Sequence, residues 1–286
     1  MKLNSAVDEI KTLSADEVKT ILDGDEEGEY VLLDVRQPME YEEGHLPGSI
    51  LMPLDEMESR RDEIYRDLHR ERKIIVYCRS GKRSIAAAIV LYDLGLRNLH
   101  ILEGGLSVWN FKTIKGKPEK KPAVIGKTSS IRDVLVIAMK VEKMSYGLYS
   151  AARDRKQFEL TRPMFQQLAE VELSHMRRLY LRLTGEIPES ADLSRIDHYL
   201  KQIDQGSKRI DIEISDALMR VDEAADSEED VIETAIEREY IANDFYKRAA
   251  SLVDDEEVKA LLHGLSHDER GHAATLLKQL SQVMRK

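Results

Sequence analysis

The chain has 286 residues, of which 42% are hydrophobic and 34% are charged, and it carries a formal net charge of −10. That length suits two hydrophobic cores, and the composition is that of a folded globular protein rather than a disordered one. The acidic balance argues against nucleic acid as a partner, because phosphate binding needs a basic surface.

Cysteine usage and the amino-terminal segment predict a cytoplasmic location. Cys78 is the one cysteine in the chain, so an internal disulfide cannot form, whereas secreted domains usually pair their cysteines. The first ten residues lack the apolar stretch of a signal peptide. No apolar run reaches the ~20 residues that a membrane-spanning helix requires, so no membrane partner is predicted.

The first 111 residues alternate short apolar runs with helical patterns. Buried strands are predicted at 30–36, 73–77 and 99–102. One helix is predicted to begin after Ser14, which forms a capping box with Glu17, and another to cover 84–94. Strands separated by helices are typical of an α/β domain with a mainly parallel sheet flanked by helices, which we assign to residues 1–111.

A segment rich in lysine and proline separates this half from a helical one. Residues 112–122 carry five lysines and two prolines, and we predict a linker over 112–130. Beyond it, apolar residues recur at helical spacing over 131–153, 158–184, 231–251 and 255–284. Four helices of this length predict an all-α four-helix bundle over 131–286, with 185–230 as a crossover connection between the second and third helices.

The sequence C-R-S-G-K-R-S at 78–84 follows a predicted strand and leads into a predicted helix. A helix N-terminus offers unpaired N–H groups and a positive dipole end, which favour a thiolate and bind anions. Gly81 lets the loop curl so that several amides point inward, and three cationic side chains add positive charge. A buried core thiol is the alternative, which the polar surroundings disfavour. We predict Cys78 as a catalytic thiol in a substrate-binding loop made of Arg79, Ser80, Gly81, Lys82, Arg83 and Ser84.

Four motifs in this half together resemble the rhodanese family. They are D-V-R at 34–36, E-Y-E-E-G-H-L-P-G-S at 40–49, C-R-S-G-K-R-S at 78–84 and E-G-G-L-S-V-W at 103–109. The resemblance implies that Cys78 takes the outer sulfur of thiosulfate or another sulfane donor as a persulfide and passes it to cyanide or a thiol. It implies that Arg79 and Arg83 help to bind the donor, and that Asp34 and Arg36 form a supporting pair. Related cell-cycle phosphatases have a loop one residue longer, so activity on phosphate or arsenate is the weaker alternative.

The helical half contains two Glu-x-x-His motifs. They are Glu172-x-x-His175 and Glu269-x-x-His272. In each motif the carboxylate and the imidazole share one helix face. The second motif lies 97 residues after the first, and Glu239 likewise lies 97 residues after Glu142 on the preceding helix. Four carboxylates and two imidazoles without a thiolate suit a dinuclear site for two Fe or Mn ions, whose charge offsets that of the buried carboxylates.

This half resembles the rubrerythrin branch of the ferritin-like superfamily, which implies a di-iron or di-manganese redox centre. Tyr149 and Tyr246 lie seven residues after Glu142 and Glu239, where they can bond to ligand carboxylates or simply fill the core. Rubrerythrins carry a further ligand glutamate at the position of Ala242. They also carry a four-cysteine site for electrons, so peroxidase activity here would need an external electron donor.

The two halves together predict a sulfurtransferase fused to a dinuclear redox domain, with no organic cofactor. One alternative is a protein that binds or stores iron and uses the first half as a sulfur carrier. Another is a non-haem di-iron oxidoreductase that scavenges peroxide. A homodimer is a further expectation, because helical bundles of this kind often pair through their helices.

Overall fold

The chain divides into two compact units, Met1–Pro118 and Glu119–Lys286. The computed structural model describes residues 9–23, 30–68, 72–116, 130–185, 193–206 and 227–284. Most of the predicted linker 112–130 lies outside the described residues. Its first residues pack onto the first unit, since Ile114 is fully buried and pairs with His45 in an isolated antiparallel bridge. None of the helices in the described residues contains an apolar stretch of the length that a membrane span needs.

The first unit is built on a five-stranded sheet in which all paired strands are parallel. In chain order the strands are β1 (Lys11–Leu13), β2 (Tyr30–Asp34), β3 (Ile50–Leu51), β4 (Lys73–Tyr77) and β5 (Leu99–Leu102). Their spatial order is β1-β5-β4-β2-β3. The inner strands β5, β4 and β2 are almost continuously apolar and buried, as a sheet covered on both faces requires.

Four helices accompany the sheet: α1 (Ala15–Asp23), α2 (Pro38–Glu43), α3 (Arg61–Asp67) and α4 (Lys82–Asp93). Successive residues of β2 enter opposite cores. Leu33 packs in a cluster with Ile64 of α3 and Leu91 of α4, whereas Leu32 packs in a cluster with Val18 of α1. The parallel sheet with helices predicted for this half is therefore confirmed.

In the first unit, two strands and two boundaries differ from the sequence-based predictions. The strands β1 and β3 were not predicted, because three and two residues carry too little periodicity. The strand predicted over 30–36 ends at Asp34, whose carboxylate turns back to accept from the backbone N–H of Arg36 at 3.0 Å. The helix predicted over 84–94 begins at Lys82, because Gly81 caps it in the left-handed region with φ of 87°.

The second unit is helical. Its helices are α5 (Ile131–Asp154), α6 (Arg162–Thr184), α7 (Leu193–Gly206), α8 (Glu228–Leu252) and α9 (Glu256–Val283). The helix α5 packs along α6, α8 packs along α9, and α5 also contacts α8. The short α7 lies within the predicted crossover 185–230, of which 186–192 and 207–226 fall outside the described residues.

Side chains at the helix starts define where three of the long helices begin. The Ser130 side chain accepts from the N–H of Asp133 before α5, and that of Ser227 accepts from the N–H of Asp230 before α8. The Asp255 side chain accepts from the N–H of Val258 before α9. All five helices contribute apolar side chains to one core. Four glutamates are also buried in this unit, with at most 1% of their surface exposed: Glu142, Glu172, Glu239 and Glu269.

Candidate functional site

The sulfur of Cys78 lies between the end of β4 and the start of α4. Tyr77 is the last residue of the strand, and Cys78 itself is only 1% exposed. The left-handed backbone at Gly81 turns the chain so that its N–H donates to Sγ at 3.1 Å. The first helical hydrogen bond then runs from Ile85 N to Gly81 O at 3.2 Å. The chain thus wraps a helix N-terminus around the thiol.

This loop favours the thiolate form of Cys78. Burial opposes ionisation, but the Ser84 hydroxyl and the backbone amides of Ser84, Ser80 and Gly81 outweigh it and lower the pKa of the thiol. The Ser84 hydroxyl is itself buried and has no hydrogen-bond partner among the described residues, which leaves it able to turn towards the sulfur. Because a thiolate is the nucleophilic form of cysteine, the loop can hold a reactive sulfur.

A turn formed by Gly105–Val108 donates hydrogen bonds to two carbonyl groups of the loop. The N–H groups of Leu106 and Ser107 donate to the carbonyl oxygens of Cys78 and Arg79, each at 2.9 Å. A Cβ at Gly105 would lie 2.2 Å from the carbonyl oxygen of Cys78, so only glycine fits. Sequence reasoning noted the motif around Gly105 without recognising this backbone contact.

Arg83 forms a two-pronged ion pair with Glu40 of α2. Its Nη1 and Nη2 lie 2.6 and 2.7 Å from the two carboxylate oxygens. These hydrogen bonds lower the pKa of Glu40 to about 2, although partial burial opposes the shift. Arg83 also interacts with the Cys78 sulfur, so Glu40 holds a cation beside the thiolate. Sequence reasoning missed Glu40 because the pair joins residues 43 positions apart.

The remaining side chains predicted around the loop divide into an exposed group and a buried pair. Arg79, Ser80 and Lys82 are exposed. Arg36 Nε and Nη2 donate to Asp34 at 2.9 and 2.7 Å, and Nη2 also donates to the carbonyl oxygen of Gly44 at 2.7 Å. The pair thereby ties the end of β2 to the end of α2.

The second unit brings together all six side chains that the sequence suggested as metal ligands. They form two groups that share Glu172 and Glu269. Glu142 and His175 complete one group, and Glu239 and His272 complete the other. Within each group the candidate ligand atoms lie within 4.8 Å of one another. The helices α5, α6, α8 and α9 each contribute to this cluster.

The cluster leaves several buried polar atoms without hydrogen bonds among the described residues. Both carboxylate oxygens of Glu172 and of Glu269 are in this position, as is Nδ1 of His272. Burial raises the pKa of Glu172 and Glu269 well above the ordinary value, and neighbouring carboxylates raise it further. Unpaired buried acids are costly, and oxygen donors with two imidazoles fit two divalent cations of the Fe or Mn type.

Two buried tyrosines reach across the cluster. The Tyr149 hydroxyl on α5 donates to Glu239 on α8, and the Tyr246 hydroxyl on α8 donates to Glu142 on α5. Each phenol therefore orients a carboxylate that belongs to the other helix pair. Ala242, where rubrerythrins have a further ligand, is a buried residue that offers no donor.

A cavity of about 640 Å³ opens onto the two histidines. It lies between α6 and α9, and its lining includes His175, His272, Val171, Arg178, Asp268 and Thr275. Sequence reasoning missed Asp268, whose Oδ2 lies 3.1 Å from Nε2 of His175. Asp268 immediately precedes Glu269, whereas Val171 precedes Glu172, so the repeat gave no indication of Asp268.

Comparison with known proteins finds matches to the first unit. Residues 14–112 match the rhodanese-like domain model. The uncharacterized protein YqhL of Bacillus subtilis is 37% identical over 86 residues, which is 30% of this chain and 64% of that protein. This chain therefore spans less than two thirds of the length of that relative.

Two further relatives match the same unit. A sulfurtransferase of Allochromatium vinosum is 34% identical over 79 residues, which is 28% of this chain and 70% of that protein. The crystal structure of a rhodanese-related protein from Thermoplasma volcanium is 29% identical, with 37% of this chain and 99% of that one covered at a TM-score of 0.31.

Proposed function

This chain belongs to the rhodanese-like family through residues 14–112, and on that premise we propose that it is a sulfurtransferase with Cys78 as its nucleophile. The observation that carries the proposal is the loop around Cys78, in which backbone amides and the Ser84 hydroxyl lower the pKa of the thiol. The name of the Allochromatium relative, a sulfurtransferase, supports the same reaction class.

The proposed reaction moves one sulfur atom in two displacements. The Cys78 thiolate attacks the outer sulfur of thiosulfate or a similar sulfane donor, a bond forms between the two sulfurs, and sulfite leaves with the electron pair of the broken S–S bond. Cyanide or a thiolate then attacks the outer sulfur of the Cys78 persulfide, and the Cys78 thiolate leaves. The loop amides and Arg83 stabilise the negative charge on sulfur in both steps.

The second displacement needs an acceptor from outside the chain. Cys78 is the single cysteine, so the chain has no other thiol that could take sulfur from the persulfide. The acceptor is therefore a small nucleophile such as cyanide, an external thiol, or Cys78 of a second molecule.

The pH dependence of Cys78 reactivity tests the role of the loop. Replacing Ser84 with alanine removes a hydroxyl that stabilises the thiolate, so the pKa of Cys78 is expected to rise. Because the thiolate reacts, the rate falls as pH drops through this pKa, and the variant loses activity at higher pH than the parent. Iodoacetamide alkylation and thiocyanate formation, measured against pH, report the shift. Ser80→Ala is the control, because Ser80 acts through its amide; equal profiles for all three proteins would contradict the assignment.

Glu40 is expected to act as a positioning residue for Arg83. The ion pair is about one-third exposed, with 34% and 30% of the two side chains accessible, so it contributes about 1 kcal/mol or less. We expect Glu40→Ala to lower kcat/KM for thiosulfate about fivefold, and Glu40→Gln, which retains one acceptor oxygen, to lower it less. Because the pKa of Glu40 is about 2, the pair stays charged throughout the assay range. The exposed Glu43 on the same helix provides the control, and an equal loss in Glu43→Ala would refute a specific role.

For the second unit we propose a ferritin-like four-helix domain that holds two Fe or Mn ions. The ions would be held by Glu142, Glu172, His175, Glu239, Glu269 and His272. The observation that carries this proposal is the buried cluster in which both carboxylate oxygens of Glu172 and of Glu269 lack hydrogen bonds among the described residues. When bound, such ions supply one-electron redox chemistry towards oxygen or peroxide. The protein's own part is to orient the carboxylates through Tyr149 and Tyr246.

Metal content and turnover separate the functions open to this unit. The full chain, grown with iron and manganese, is expected to retain about two ions per chain, and purification without either metal would refute the site. Consumption of oxygen or peroxide with an external reductant supports an oxidoreductase. Stoichiometric metal uptake without turnover supports iron binding or storage, with the first unit as a sulfur carrier. The single cysteine makes an external reductant necessary for any peroxidase activity.

A further inference from the structure

The 97-residue repeat is broken at the position before each Glu-x-x-His motif. Asp268 occupies this position on α9, and Val171 occupies it on α6. The inner sides of the two histidines are similar, because Nδ1 of His175 and Nδ1 of His272 each lie between 3.1 and 3.6 Å from oxygens of three glutamates. The two halves of the cluster therefore differ in what surrounds the Nε2 side of each imidazole, which we call its outer edge.

Asp268 fixes the outer edge of His175. Its Oδ2 lies 3.1 Å from Nε2 of His175 and 3.4 Å from Nη1 of Arg178. Asp268 can accept a hydrogen bond from Nε2, which holds the imidazole with Nδ1 facing Glu142, Glu172 and Glu269. A carboxylate at the other ring nitrogen typically orients a metal-ligating histidine in this way. Arg178 donates to the same carboxylate oxygen and helps to hold it beside His175.

His272 lacks this support in the portion of the chain that the structure describes. Its ion pairs, with Glu172, Glu239 and Glu269, all run through Nδ1. In the repeat, Val171 and Thr275 stand where His175 has Asp268 and Arg178, and both line the cavity beside the two histidines. The Thr275 hydroxyl donates to the carbonyl oxygen of Gly271 at 2.9 Å. Among the residues that the structure describes, no carboxylate therefore holds the Nε2 side of His272.

We propose that the two halves of the cluster bind divalent cations unequally, and that the half containing His175 fills first. The inference rests on the dinuclear site proposed above. A carboxylate behind a metal-bound histidine typically changes metal affinity by about 10–100-fold. The affinities of the two halves are expected to differ within that range. The chain then exchanges the ion of the His272 half with its surroundings while it retains the other.

A matched pair of variants tests the order of filling. His175→Ala and His272→Ala remove equivalent residues of the repeat, so an evenly built site would lose the same affinity in both. Mn²⁺ binding to the full chain is measured from the electron paramagnetic resonance signal of the free ion. We expect His175→Ala to bind its first Mn²⁺ about 10–100-fold more weakly than His272→Ala does. Adding Asp268→Asn should weaken binding about tenfold in the His272→Ala background and leave it unchanged in the His175→Ala background.

The outcomes separate this inference from the proposal beneath it. An absence of Mn²⁺ binding by the parent chain would refute the dinuclear site itself, and with it the inference. Two ions bound by the parent chain, with equal losses in the two histidine variants, would refute the inequality alone. Circular dichroism establishes that each variant is folded. Val171→Asp provides a second measurement, because it places a carboxylate at the repeat position of Asp268 and should strengthen binding in the His175→Ala background, and the absence of any gain would contradict the role given to the outer carboxylate.

Discussion

Cys78→Ser is expected to abolish thiosulfate–cyanide sulfur transfer, with a fall of about 10⁴-fold or more towards the assay background. A serine hydroxyl does not ionise near neutral pH, and it cannot store sulfur as a persulfide. The loop should otherwise remain folded, because serine fills the same buried position and still accepts from the N–H of Gly81. Thiocyanate production measures the loss.

Mass spectrometry gives a second measure of the same change. After incubation with thiosulfate alone, the parent chain should gain the mass of one sulfur atom, and Cys78→Ser should gain none. Ser80→Ala is the matched loop control, since its exposed hydroxyl is not required and sulfur loading should persist. Full activity or unchanged sulfur loading in Cys78→Ser would rule out the proposed nucleophile. Metal content should be equal in all three proteins, because the six proposed ligands lie in the other unit.

Glu172→Gln is expected to remove the thermal stabilisation that Mn²⁺ gives to the parent chain. Glu172 belongs to both ligand groups, so the loss of its charge affects both ions. At a free metal concentration of 100 times the Kd, each ion stabilises the folded state by about 2.7 kcal/mol. In a unit of this size, that corresponds to a rise in Tm of roughly 5–10 °C per ion. Differential scanning calorimetry with and without Mn²⁺ measures the rise.

In the absence of metal, Glu172→Gln should raise the Tm of the chain or leave it unchanged. Glutamine keeps the shape of the side chain and removes an acid from a buried cluster of four, so the metal-free variant is expected to be at least as stable as the parent. Glu170→Gln, an exposed position on the same helix, should leave the Mn²⁺ effect intact. A Glu172→Gln variant that keeps the full metal-dependent rise in Tm would contradict the assignment of Glu172 as a shared ligand.

Much of the fold follows from local patterns in the sequence. The inner strands β2, β4 and β5 are continuous apolar runs, and the long helices repeat apolar residues at helical spacing, so both kinds of element were predictable. The short strands β1 and β3 depend on partners brought from elsewhere in the chain, and their own residues carry no comparable signal. The ends of β2 and α4 were misjudged for the same reason, since a side chain and a left-handed glycine set them.

The same distinction, between local sequence patterns and contacts from elsewhere in the chain, applies to the two candidate sites. The proximity of the six glutamates and histidines could be anticipated, because a repeat carries its residues to equivalent places in two helix pairs. Contacts that occur once could not be anticipated in this way. Glu40 reaches Arg83 from a different helix, and Gly105 is needed because its backbone touches that of Cys78. Asp268 escaped notice because the other half of the repeat has a valine there.

The exchanged tyrosines make the two helix pairs interdependent. Tyr149 acts on Glu239 and Tyr246 acts on Glu142, so neither pair orients its own carboxylate. A peptide containing only α5 and α6 would carry two of the four buried glutamates and one of the two histidines. It would also carry Tyr149 without the carboxylate of Glu239 that this tyrosine contacts. Two identical copies, related by a two-fold axis, would restore the full set. The second unit therefore resembles two copies of one helix pair joined in a single chain, and halves severed between α6 and α8 should complete the cluster only when two of them associate.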